Sequence, residues 1–387
     1  MLASVLTTVS SVYPAFLAGA LGPELREALS MTERFFGLVI GGFFFGSALG
    51  STALGQLGER IGARRLISIS LLTPATMTAI VATVVSSGPA LVATLAVAGL
   101  ANSSGQTAAN KLLSQSIDPA RLGFAMAVKQ SGMPSASLLG GLAVPLIALT
   151  VGWRWTYAFA TLLALVSVPV VLRFAPHDGP SSARSVVQPS RSQPVVGELV
   201  RARRTLVLAA ISAGFASAAA GTLGNWMTSS AVDAGWSTGA AGLLLSLGAV
   251  SGITVRMVLG SVADRSTRLP MRTASMSLAI GILGALLLAP RLQWTHGIAV
   301  IVAFGAGWGW PALFNYAVVR ANPYAASAAT GITQTGVYVG VFSGPIAFGF
   351  MVENFSYQAG WLMIGCSMLI GAAIMYRIAP RFTAHAP

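Results

Sequence analysis

Apolar runs of bilayer-spanning length recur along the whole chain, separated by short polar or Gly/Pro breaks. A helix needs roughly 20 apolar residues to cross the hydrocarbon core. Runs of that kind lie near 3–21, 36–57, 66–85, 89–112, 123–149 and 155–174, then near 205–227, 238–262, 273–289, 297–319, 329–352 and 361–376. With no water in hydrocarbon, each segment must satisfy its own backbone N–H and C=O groups, so the runs are predicted to be α-helices. The expected fold class is an all-α membrane protein with twelve transmembrane helices. Such spans take up about 240 residues, so the connections are short and no sizeable soluble domain fits. Apolar residues at 55 % and charged residues at 9 % exclude an ordinary soluble enzyme and a disordered chain.

One break is longer than the others. Residues 175–204 are rich in Ser, Pro and Arg and read as a flexible cytoplasmic linker. Six runs precede it and six follow. The predicted units are therefore a bundle over 1–174, the linker over 175–204 and a second bundle over 205–387.

The net charge is +13. In a soluble protein that excess would suggest nucleic acid; here it fits basic residues kept in cytoplasmic loops, and no nucleic-acid partner is expected. With both termini placed in the cytoplasm, 17 Lys and Arg fall on the inner side and 4 on the outer side. That asymmetry predicts a multi-pass protein of a bacterial inner membrane with both ends inside. The bacterial part rests on Arg outnumbering Lys by 21 to 2 in an Ala- and Gly-rich chain. The apolar start at Met1 lacks a basic stretch, so no cleaved signal peptide is expected. Cys366 is the single cysteine, and His177, His296 and His385 are scattered, so no metal site and no cofactor is expected. No nucleophile–base pair stands out, which argues against an enzyme.

The two halves repeat each other. Gly55-Gln-Leu-Gly-Glu59-Arg60 is matched by Gly260-Ser-Val-Ala-Asp264-Arg265, and Val128-Lys129-Gln130-Ser131-Gly132 by Ile332-Thr333-Gln334-Thr335-Gly336. Such duplication is a hallmark of transporter architectures. The first stretch, continued to Gly62, Arg64 and Arg65, resembles the loop motif G-x-L-A-D-R-x-G-R-R of the major facilitator superfamily. The resemblance covers essentially the whole chain. It implies two pseudo-symmetric six-helix bundles around a central cavity and alternating access. It also implies a cytoplasmic gate at Gly55, Glu59, Arg60, Gly62, Arg64 and Arg65, with Gly260, Asp264 and Arg265 as the counterpart. The helix 4 arginine of the drug/proton antiporters of this superfamily is replaced by the Ala101–Gly105 stretch, and their helix 5 motif lacks its Gly-Pro here. Arg256-Met-Val-Leu-Gly260 is similar to the R-x3-G pattern of monocarboxylate porters, which implies carboxylate binding by Arg256.

Two cations fall inside spans, Lys129 in the first half and Arg256 in the second. A charge at the centre of a span costs about 2.5–3.5 kcal/mol on insertion scales, so each requires a reason. By helical spacing, Gly132, Ala136 and Gly140 share the face of Lys129, and Ala249, Gly252 and Gly260 that of Arg256. Small residues mark helix contact or a cavity wall rather than lipid. A passage lined by positive charge favours anions. The competing readings are that Lys129 snorkels to the surface and that Arg256 pairs with backbone carbonyls or a gate carboxylate.

The expected substrate site comprises Arg256, Lys129, Gln130, Gln334, Tyr13, Asn102, Asn225 and Tyr338. Trp226, Trp308, Trp310 and Asn315 are further candidate lining residues, with packing the alternative for each. The resulting reading is a monomeric secondary transporter of a small organic anion, in contact with the lipid bilayer. A co-transported proton is an open question, since no acid sits mid-span. Multidrug efflux by proton antiport and a non-transporting membrane sensor are the alternatives.

Overall fold

The computed structural model describes residues 2–61, 63–114, 122–174, 196–265, 270–322 and 325–382. Side chains are described over the same ranges except at 2, 52–61, 63, 107–114, 122, 123, 126, 196–202, 263–265, 326 and 327.

The first half holds α1 (Leu2–Ala20), the short α2 (Gly22–Ala28), α3 (Glu33–Ile61), α4 (Ala63–Thr83), α5 (Gly88–Ser114), α6 (Leu122–Gln130), α7 (Gly132–Ala143), α8 (Leu149–Val151) and α9 (Trp153–Phe174). The second holds α10 (Val196–Asp233), α11 (Thr238–Arg265), α12 (Pro270–Leu288), α13 (Gln293–Val302), α14 (Pro311–Ala321), α15 (Ala326–Asn354) and α16 (Tyr357–Ile378). No strand occurs among the described residues.

Eleven of the helical spans are long and apolar enough to cross a membrane. The twelfth by position is α5, which at 27 residues has the length. The polar run Asn102-Ser-Ser-Gly-Gln106 dilutes its apolar character. Two spans are interrupted. The fifth is built from α6, α7 and α8 with a π turn at Val144–Ala148, and the tenth from α13 and α14 with a π turn at Ala303–Gly307. Pro145 lies in the first of these turns and Pro311 opens α14. Proline removes an N–H and displaces the helix ladder, which accounts for both breaks.

One expectation is corrected. The linker predicted over 175–204 is helical from Val196 onward, as the start of the 38-residue α10. Past Gly197 that stretch has neither proline nor glycine, so nothing in it stops a helix growing back from the span. Residues 175–195 lie outside the described residues.

The end at which α1 begins is called the near end here, and the opposite end the far end. The halves meet along α1 with α10, α3 with α15, and α6 and α7 with α11. At the far end these crossings are backbone to backbone. A Cβ on Gly141 would sit 2.4 Å from the Gly242 carbonyl oxygen, and one on Gly37 would sit 2.8 Å from that of Pro345. Only hydrogen fits there, which is the use of small residues at membrane helix contacts. Polar links add to the seal. The Arg34 backbone N–H donates to Glu353 Oε2 at 2.7 Å, and the Tyr357 hydroxyl donates to Glu33 Oε1 at 3.0 Å. Glu33 is also ion-paired with Arg26, and Arg291 with Asp233. On α15, toward the near end, a Cβ on Gly331 would meet nothing within 4 Å.

Candidate functional site

Between the bundles lies a cavity of about 390 Å³, walled by both halves. Lys129, Gln130 and Asn102 line it from the first half, and Gln334, Tyr338 and Asn315 from the second. Aromatic faces fill much of the rest, chiefly Phe16, Phe44, Trp308 and Trp310. Apart from Phe16, which sits in the far-end part of α1, the lining groups named here project from the middle of a span or from its near-end half.

Lys129 is the single charged residue among the described residues of the lining. It is 6 % exposed and makes no hydrogen bond or ion pair among the described residues. Lys129 and Gln130 close α6 just before the bend at Ser131, which presents consecutive side chains to the cavity. Nearby are further polar atoms with no partner among the described residues: Gln130 Oε1, Gln106 Nε2 and Trp310 Nε1. Buried polar groups in native proteins are nearly always paired. The unpaired ones around this cavity are available to bond a molecule that enters it. The set offers an ammonium and two N–H donors beside apolar rings.

Arg256 behaves differently from the sequence expectation. It is 1 % exposed and is not part of the cavity lining. Its Nε and Nη2 donate to the Trp308 carbonyl at 2.9 and 2.6 Å, and its Nη1 donates to the Gln130 carbonyl. The guanidinium also stands over the Trp308 ring, 5.3 Å from its centroid. Among the described residues no carboxylate reaches either cation. Hydrogen bonds from a charged donor are about twice as strong as neutral ones, so backbone carbonyls can hold this charge in the absence of an acid.

The remaining predicted residues divide. Asn102 ties three helices together: its amide donates to the Ser47 hydroxyl at 3.1 Å and its oxygen accepts from Ser11 at 3.0 Å, while its surface still borders the cavity. Gln334 and Tyr338 line the cavity on α15. Tyr13 and Asn225 do not line it. Tyr13 is buried at 1 % exposure, and Asn225 packs against Gly19 where α1 crosses α10, its amide donating to the Gly221 carbonyl. Of the predicted gate, Gly62 and the side chains of Gly55, Glu59, Arg60, Asp264 and Arg265 lie outside the described residues. Arg64 and Arg65 sit at the near-end start of α4, Arg64 half-buried and Arg65 exposed, and Gly260 is buried in α11. The carboxylates with described side chains, Glu24, Glu27, Glu33, Asp233 and Glu353, all stand at the far end.

Sequence reasoning passed over Phe16, Phe44, Met133, Gln106 and Ser217 as lining residues. Gln106 had a signal, since it ends the polar run of α5. The others look like packing in any apolar span.

Comparison with known proteins agrees with this architecture. The sequence profile of the Major Facilitator Superfamily matches residues 3–345. The chain is similar to a gentisate transporter of Corynebacterium glutamicum, 24 % identical over 93 % of this chain and 82 % of that one. It is also similar to the multi-drug resistance efflux pump PmrA of Streptococcus pneumoniae, 29 % identical over 35 % of this chain and 33 % of that protein. The crystal structure of a D-xylose-proton symporter superposes with a TM-score of 0.75 over 98 % of this chain and 97 % of that one, at 16 % identity, which speaks to fold alone. A profile match over most of the chain, a twelve-helix layout in two bundles and a cavity between them establish that this chain belongs to the Major Facilitator Superfamily, as a multi-pass membrane transporter.

Proposed function

We propose that the protein moves a small aromatic carboxylate, or an organic anion of similar shape, by alternating access. The observation that carries this is Lys129: a buried ammonium with no partner among the described residues, lining a cavity whose described walls hold no acid. An ionised carboxylate there would offset the desolvation of the ammonium and accept from Trp310 Nε1. The rings of Phe16, Trp308 and Trp310 provide stacking surface for a flat substrate. The similarity to a gentisate transporter supports the same reading. The near end is assigned to the cytoplasm, because the basic residues concentrate there. On that assignment the structure is inward-facing.

The test is counterflow in proteoliposomes with a labelled panel of aromatic carboxylates and their uncharged amides. Wild type is expected to exchange the acids and ignore the amides. Lys129→Gln should lose the acids. Equal exchange of acids and amides, or an unaffected variant, sinks the reading. Efflux of amphiphiles is the second reading, favoured by the apolar rings in the lining and by the partial match to PmrA. Dye resistance on expression, unaffected by Lys129→Gln, would favour it.

A further inference from the structure

Arg256 links three segments, and proline chemistry explains why the link exists. In a helix the carbonyl of residue i accepts from the N–H of residue i+4. For Gln130 that residue is Pro134, which has no N–H. The helix continues almost regularly through the gap: Ser131 has φ −70° and ψ −12°, and Ser135 N–H donates to the Ser131 carbonyl at 2.9 Å. One buried carbonyl of the first bundle, in the turn that carries Lys129, is therefore left without its helical donor. Arg256, on α11 of the second bundle, reaches across and supplies one. Its other two donors go to Trp308, in the turn between the π turn and α14, where the regular ladder is also broken.

The geometry points to Arg256 as a latch between the bundles: it satisfies the carbonyl that Pro134 deprives of a donor and so holds the Lys129–Gln130 turn in place in this far-closed conformation. The Arg256–Trp308 bonds lie within one bundle and travel with it. The Arg256–Gln130 bond crosses between bundles, so a rocking motion that parts α6 from α11 must break it. In the alternate conformation the Gln130 carbonyl turns to cavity water. Arg256 is a positioning residue in this scheme. Its charge acts on the equilibrium between conformations, and any effect on the substrate passes through the turn that carries Lys129. The inference needs the alternating-access family but not the anion reading.

The test reads conformation without substrate, so its failure leaves the anion reading untouched. The reporter is Ser217→Cys, a buried lining residue, in a Cys366→Ser background. A membrane-impermeant maleimide is applied to each face of oriented vesicles, and the near-face to far-face labelling ratio is measured. Arg256→Gln leaves the Gln130 carbonyl buried and unpaired in the far-closed state, so the ratio should fall roughly tenfold. Adding Pro134→Ala gives that carbonyl a helical donor again. Most of the penalty of a lost hydrogen bond is the unsatisfied group left behind, so the double variant should recover to within about threefold of wild type. An unchanged ratio in Arg256→Gln overturns the latch. A fall that Pro134→Ala fails to repair overturns the role given to the Gln130 carbonyl. Should Arg256→Gln not fold, Arg256→Lys keeps the charge but not the fork. It should show a partial fall of roughly threefold, and a wild-type ratio there would count against the latch equally.

Discussion

Lys129 and Arg256 look equivalent in sequence, one cation in each half, each on a face of small residues with no acid nearby. The structure gives them opposite fates. Arg256 spends all three of its donor nitrogens on two backbone carbonyls and is shut away from the cavity. Lys129, on α6 beside the Gln130 carbonyl that Arg256 holds, has no partner among the described residues and lines the cavity. A charge within a membrane protein can be stabilised by the protein's own dipoles or left for a ligand to stabilise, and composition alone does not say which. What separates these two is local: a helix break beside Arg256 frees carbonyls, and a guanidinium fork is shaped to take more than one.

The largest expected effect is a crossed pair of losses. Lys129→Met should reduce kcat/KM for the transported anion on the order of a hundredfold, because the charge that lines the described cavity wall is gone. The same change should leave thermal stability in detergent unchanged or raised, since an unpaired buried ammonium is removed. Arg256→Met should do the reverse. Two buried carbonyls lose their donor, at about 1–3 kcal/mol each, and the unfolding temperature should drop while the preference for acids over amides persists. If Arg256→Met instead abolishes that preference with stability intact, the two roles are exchanged and the distinction fails.

The sequence carried more of this contrast than its cations did. Run lengths reveal the twelve spans because hydrocarbon thickness fixes helix length, and the paired Gln130 and Gln334 are visible because duplication preserves position. Pro134 stands four residues beyond Gln130, so the missing donor was legible as well. That Arg256 would be the group to fill it was not, because α11 and α6 are brought together only by the fold. Tyr13 and Asn225 were misplaced for a similar reason. A polar residue on an apolar helix announces a helix contact, but whether the contact is a cavity or a neighbouring helix depends on the crossing. At Asn225 the crossing partner is Gly19, which brings α1 so near that no space remains. The far-end seal of Glu33, Tyr357, Arg34 and Glu353 joins residues more than 300 apart and leaves no trace in local pattern.

A smaller effect distinguishes the ring of Trp308 from its backbone. Trp308→Leu keeps the carbonyl that binds Arg256 and removes both the cation–π contact and the ring tilted against Phe16, their centroids 5.6 Å apart. A cation–π contact of this kind contributes about 0.5–2 kcal/mol. The expected outcome is a modest loss of stability and a severalfold rise in KM confined to aromatic substrates. An equal rise for aliphatic carboxylates would mean that the ring packs and does not recognise.

The smallest effect compares the repeat-related glutamines. Gln130→Ala keeps the backbone carbonyl, so the bond to Arg256 survives and the side-chain amide at the cavity, with its unpaired Oε1, is lost. Gln334→Ala removes a half-buried amide from the facing wall. A neutral hydrogen bond is worth about 0.5–1.5 kcal/mol, so Gln130→Ala should raise KM roughly threefold to tenfold. Gln334→Ala, with more exposure to water, should raise it no more than about threefold on the same scale. The measurement is KM from counterflow, with the maleimide labelling ratio as control. Gln130→Ala should leave that ratio at the wild-type value, because the latch needs the carbonyl and not the amide. A ratio that falls as it does in Arg256→Gln would mean that the side chain, and not the backbone freed by Pro134, is what Arg256 depends on. The line between a cation that holds the bundles and a cation that holds the cargo would then have to be redrawn at Gln130.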